Sequence, residues 1–119
     1  MNIEKIREHY EHAKAKHPYF CDGLIPNNMD KELMGIVIKN ELATARGDIK
    51  KAIEQKNVTF STLLNSEVWE VHEAVFKGDT KQAIEECYDC IAILLRAIDV
   101  LEGNQALGDP TKKGATDEQ

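Results

Sequence analysis

Apolar residues recur at helical spacing in four stretches of the chain. In the first, Ile3, Ile6, Tyr10 and Ala13 repeat at three- and four-residue intervals behind Asn2, a residue suited to an N-cap, and the pattern predicts a helix over 2–16. The stretch HPYFCDGLIPNNM at 17–29 breaks the period with two prolines, a glycine and two asparagines. It predicts an irregular connection, with Tyr19, Phe20, Leu24 and Ile25 packing it against the helices. A long helix is expected from an Asp30 cap to about Lys56, with Ile38, Leu42, Ala45, Ile49 and Ile53 as its apolar stripe. A third is expected from about Ser61 to Lys77, on a stripe of Phe60, Leu64, Val68, Val71 and Val75. Gly78 suits the position just past a helix end, where the backbone turns left-handed. Asp79 then caps a fourth helix running to about Glu102, and Gln82 three residues on completes a capping-box-like pattern.

The fourth helix departs from simple amphipathicity. Between Cys90 and Leu101 only Arg96 and Asp99 are charged, so the helix is apolar almost all round. In a short chain such a helix needs cover from a partner subunit as well as from its own neighbours. From Gly103 to the end, GNQALGDPTKKGATDEQ lacks apolar periodicity and predicts a mobile tail. No stretch predicts a strand and no segment repeats. The expected fold class is all-α, with one helical domain over 1–102.

Length and composition narrow the function classes. A chain of 119 residues is one domain or one subunit of an assembly. A formal charge of −6 argues against binding a nucleic-acid polymer, which needs a basic footprint. The longest apolar run, CIAILL at 90–95, is too short to span a bilayer. The start, MNIEKIREHY, is charged and has no apolar h-region, so no secretory signal is expected and the expected location is cytoplasmic. Three cysteines in such a chain are expected as free thiols, with the Cys87–Cys90 pair inside the fourth helix as small buried or half-buried packing residues.

The charge is not spread evenly. Residues 65–90 hold seven acids (Glu67, Glu70, Glu73, Asp79, Glu85, Glu86 and Asp89) against Lys77 and Lys81, a local charge of −5. The third and fourth helices form a hairpin that turns near Gly78. Equal distances from the turn mean equal height, so Glu70 is level with Glu86, and Glu67 with Asp89. The two levels are three residues, or about 4.5 Å, apart. Residues at i and i+3 share a face, and packed helices lie about 8–10 Å apart. Four carboxylates are thus expected to converge between the two helices, with Glu73 and Glu85 facing solvent. Such a group repels itself and resists desolvation. A hard divalent cation removes the conflict, and all-oxygen ligands favour Mg²⁺ or Mn²⁺ over zinc. A di-iron site is set aside, because neither pair contains the histidine of a Glu-x-x-His motif.

The same residues carry a resemblance. SEVWE, a 15-residue spacer and ECYD resemble the E-E-x-x-E and E-x-x-D pattern of the MazG-like nucleoside triphosphate pyrophosphohydrolases, and CIAILLRAIDVL resembles the end of that family's central helix. The resemblance covers about residues 60–102 well and 33–55 loosely. It implies a four-to-five-helix bundle, assembled as a homodimer or homotetramer. It implies Glu67, Glu70, Glu86 and Asp89 as Mg²⁺ ligands, with Glu67 and Glu70 central to catalysis. The implied reaction is hydrolysis of a nucleoside triphosphate to monophosphate and pyrophosphate. Ser66 stands where the family has its first glutamate, which puts the catalytic rate in question more than metal binding. Lys39, Arg46 and Lys50 on one flank of the second helix, and Arg96 seven residues beyond Asp89, are candidate phosphate ligands; Trp69 is a candidate for stacking on a base. The alternative is a catalytically idle helical module of the same type that binds a nucleotide or a protein partner.

Overall fold

The computed structural model describes residues 1–107; residues 108–119, which make up most of the expected mobile tail, lie outside them. Among the described residues the protein is all-helical: α1 (Ile3–Lys16), α2 (Lys31–Glu54), α3 (Phe60–Phe76) and α4 (Thr80–Leu101). None is long and apolar enough to cross a membrane.

Each helix starts on a side-chain cap. Asn2, Asp30, Thr59 and Asp79 accept hydrogen bonds from the backbone N–H groups of Lys5, Leu33, Thr62 and Gln82, satisfying donors that a first turn leaves unpaired. α2, α3 and α4 end alike. At the α3 end, Gly78 has φ +75° and the Asp79 N–H returns to the Ala74 carbonyl. Lys56 takes the equivalent left-handed position after α2 at φ 54°, with Asn57 N–H bonded to the Ala52 carbonyl.

α2 packs on α3 and α3 on α4, while α2 and α4 do not meet. The bundle is therefore open, with α3 in the middle. Its core lies between α2 and α3, where Met34, Ile38 and Leu42 are buried against Trp69, Phe76, Ile25 and Met29. Near the other seam only Ala74 and Ala83 are buried. The expected stripes shift accordingly. On α2 the period continues from Ala45 through half-buried Ile49 to buried Ala52, leaving Ile53 60% exposed, one residue round the helix. On α3 Phe60 and Val68 are exposed rather than buried. A middle helix divides its apolar residues between two neighbours, and Trp69 and Phe76 serve the α2 side.

Two further expectations fail. In the 17–30 connection Ile25 and Met29 pack, but Tyr19, Phe20 and Leu24 are exposed. α1 keeps its predicted bounds yet packs against no other helix, and every residue in it is exposed. Its stripe meets no other helix among the described residues.

Candidate metal centre

The α3–α4 turn sets the register of the acids. Three residues, Lys77 to Asp79, reverse the chain, and the left-handed Gly78 together with the Asp79 cap fixes where each helix begins and ends. Two helices joined so tightly must run antiparallel and side by side. Glu67 on α3 then meets Glu86 and Asp89 on α4, and one oxygen from each of the three lies within 4.8 Å of the others. Glu67 and Glu86 are half-buried, and Asp89 is exposed at the rim.

The electrostatics record the crowding. Burial raises the Glu67 carboxyl above its ordinary range, and the negative charges of Glu86, Asp89 and Glu70 push it further. Glu86 is raised first by burial. The amide of Gln82, donating to Glu86 Oε2 at 3.0 Å, opposes this, while Asp89 and Glu70 add to it. The Gln82 side chain thus serves the acid cluster and not the helix N-terminus that a capping box would have given it.

Glu70, the fourth expected ligand, stands at the edge of the group. It pairs with Arg46 of α2 at 2.5 Å, which ties the acid crevice to the neighbouring helix. Arg46 was expected as a phosphate ligand and is found holding a carboxylate. Lys39 and Lys50 lie on the same flank of α2 and are exposed, as is Arg96 on α4. Trp69 is half-buried against the Met34–Ile38–Leu42 core, its ring 4.4 Å from that of His72. Glu85 faces solvent as expected. Glu73, expected to do the same, is half-buried and pairs with Lys77 one turn on.

The cysteines divide. All three are free thiols. Cys90 is half-buried beside the acids. Burial raises its thiol first, and Cys87, Glu67, Asp89 and Glu86 raise it further, so it presents a neutral wall to the cluster. Cys87, expected to be buried or half-buried, is exposed and lines an apolar groove on another face of α4. Ser66 is 7% exposed.

Two features of this site were not anticipated from sequence. The Gln82–Glu86 bond has an i, i+4 signal that was available. The Arg46–Glu70 pair spans 24 positions across two helices whose mutual register no short motif specifies. The donor set consists of carboxylate oxygens alone, already gathered and mutually repelling, which suits a hard divalent cation. Comparison with family models, with curated proteins and with solved structures finds no match to this chain.

Proposed function

We propose that Glu67, Glu86 and Asp89, with Glu70 at the edge, bind Mg²⁺ or Mn²⁺, and that the protein hydrolyses nucleoside triphosphates to monophosphate and pyrophosphate. The observation that carries this reading is the convergence of three carboxylates within 4.8 Å across a helix seam, at the cost of raised proton affinity in two of them. The resemblance of SEVWE and ECYD to the MazG-like pattern supplies the reaction class. A bound divalent cation would offset the negative charge of a polyphosphate and polarise its phosphoryl groups. The chain supplies the rest. Glu67, raised by burial and by the neighbouring carboxylates, holds a proton more readily than a free carboxylate and so suits a general base. Arg46 fixes Glu70 in place. Lys39 and Lys50, on the Arg46 flank, and Arg96, on the Asp89 face, stand ready for the outer phosphates. The acting form in this reading is a homodimer or higher assembly, consistent with the open bundle.

The experiment is a panel of canonical nucleoside triphosphates with Mg²⁺ in ¹⁸O-labelled water. Attack at the α-phosphorus places the label on the monophosphate and releases pyrophosphate. Asp89→Asn should lower turnover by several orders of magnitude, as expected when acids act as a unit. Orthophosphate and diphosphate products would overturn the proposed regiochemistry. A specific observation favours a second reading, the idle binding module: Glu70 is already engaged by Arg46, and Ser66 brings no acid to the crevice. Calorimetric Mg²⁺ binding without turnover of any triphosphate would select it.

A further inference from the structure

On a face of α4 well away from the acids lies an open apolar groove of about 430 Å³. At 100° per residue, Ile84 and Ile91 stand about 140–160° round α4 from Glu86. Val71 and Val75 form one wall, Ile84, Tyr88 and Ile91 the other, and Leu24 closes an edge. Ile84, Tyr88 and Ile91 are 51%, 61% and 47% exposed. Three large apolar side chains on successive turns form a patch that monomers rarely leave bare.

The chain also carries an element shaped for such a groove. α1 touches no other helix, yet Ile3, Ile6, Tyr10 and Ala13 form a stripe along it. From Ile3 to Ala13 the stripe rises about 15 Å, and the groove from Thr80 to Ile91 about 16 Å. Lys5, Arg7, Lys14 and Lys16 flank the stripe together with Glu4, Glu8 and Glu11, and Arg7 and Lys14 pair with Glu4 and Glu11 on the same helix. Helix and groove match in length and apolarity.

The exposed area shows that something is uncovered. The chain exposes 9239 Å², where a compact monomer of its mass exposes roughly 6,500 Å². Setting aside roughly 1,850 Å², the most that residues 108–119 could contribute, leaves an excess of roughly 900 Å². A standard interface covers about 800 Å² per partner.

We infer that the groove seats α1 of a second copy of the chain, the two copies exchanging their first helices. The chain's own α1 is held elsewhere. The Met1 amino group lies 2.9 Å from Glu102 and 3.6 Å from Asp99, at the end of α4 farthest from the Gly78 turn, and Leu24 of the connection already occupies the groove edge. A reciprocal exchange covers both stripes twice by one symmetric contact. The inference stands independently of the metal centre.

Cys87, exposed within the groove, is a built-in reporter. Ile6→Cys and Tyr10→Cys, each in a Cys21→Ser background, are oxidised with copper phenanthroline and run without reductant. The expected result is a covalent dimer from at least one of them, lost on adding Cys87→Ser. A monomeric band with its thiols consumed would show α1 docking within its own chain and overturn the exchange, as would the absence of any cross-link. Light scattering gives a second measure. The unmodified protein should be dimeric at micromolar concentration, and Ile6→Glu or Tyr10→Glu should raise the dissociation constant at least about 30-fold. These α1 positions touch no other helix, so unchanged circular dichroism is expected in both variants. A dimer that resists both substitutions, or a monomeric unmodified protein, would overturn the inference.

Discussion

Removing one acid from the cluster should stabilise the metal-free protein. The perturbation is Glu86→Gln, chosen because Glu86 faces both Glu67 and Asp89 within 4.8 Å. Two unit charges at that distance repel by about 0.9 kcal/mol in water and about 3.5 kcal/mol at an effective dielectric of 20. The groups are partly solvated, so the lower end governs, and about 1 kcal/mol per pair is a fair value after screening. Glu86 takes part in two such pairs, giving about 2 kcal/mol. Against this stands the Gln82 bond, 3.0 Å to Glu86 Oε2. A glutamine oxygen still accepts that bond and loses only the charge-assisted share, about 0.5–1 kcal/mol. The net gain is about 1 kcal/mol, or roughly 4–8 °C in melting temperature for a chain of this size. The assay is thermal unfolding by circular dichroism, in chelator and in excess Mg²⁺. In chelator the variant should melt above the unmodified protein. In Mg²⁺ the order should reverse, because cation at a hundredfold excess over its dissociation constant adds about 2.7 kcal/mol only where the ligands are intact. A variant that melts lower in chelator would refute the idea that the acids are held together against their own repulsion. Equal Mg²⁺ shifts in both proteins would refute Glu86 as a ligand.

The core and the titration of the cluster give two further tests. Leu42 is the largest fully buried side chain, so Leu42→Ala should cost about 3 kcal/mol by chemical denaturation, and a loss under about 1 kcal/mol would show that α2 is not seated on α3 as described. Glu67 and Glu86 bind protons more tightly folded than unfolded, so their contribution is full at or below the ordinary value of 4.5 and is lost as pH rises through their raised values. In chelator, the stability of the unmodified protein relative to Glu86→Gln should therefore fall as pH rises from 4.5 toward neutrality; a flat or rising difference would contradict the raised proton affinity.

Helix ends were legible in the sequence and helix neighbours were not, and the physics of each explains why. Asn2, Asp30 and Asp79 act over three residues, so their capping role is written locally and appears in the structure. The acid register was legible in part for the same reason: a three-residue turn leaves little freedom, so Glu67 meets Asp89 and Glu86, whereas Glu70, expected level with Glu86, is held by Arg46 at the edge. The stripe on α3 was misassigned because a single-face count assumes one core, and this helix has a neighbour on each side. That is why Val68 is exposed while Ser66 is buried. Tyr19 and Phe20 look like packing residues by type, but a connection with two prolines has no periodicity from which to aim them. Cys87 and Cys90 illustrate the limit most simply. They lie only about 60° apart on α4, yet Cys90 is half-buried beside the acids and Cys87 is exposed at the groove, a difference that spacing along one helix does not reveal.

The placement of small residues shows why the carboxylates meet at all. Ala74 and Ala83, nearly equidistant from Gly78, are the buried pair near the α3–α4 turn, at 5% and 9% exposure. Side chains that short let the helix axes approach closely. One to two turns farther from Gly78, the same close approach brings Glu67 against Glu86 and Asp89. Larger apolar residues at 74 and 83 would have buried more surface and contributed more stability to the hairpin. They would also have spread the helices and relaxed the acids. The hairpin instead has its small residues where closeness is set and its acids where closeness is felt. It gives up core area and accepts repulsion, a cost that a cation in the crevice would offset under the proposed function. The large apolar residues of α4 are displaced to the other side, onto the groove wall of Ile84, Tyr88 and Ile91, where a second copy of α1 can cover them. The seam that gathers the acids and the exposed apolar face of Ile84, Tyr88 and Ile91 are thus two consequences of one choice of residue size along α4.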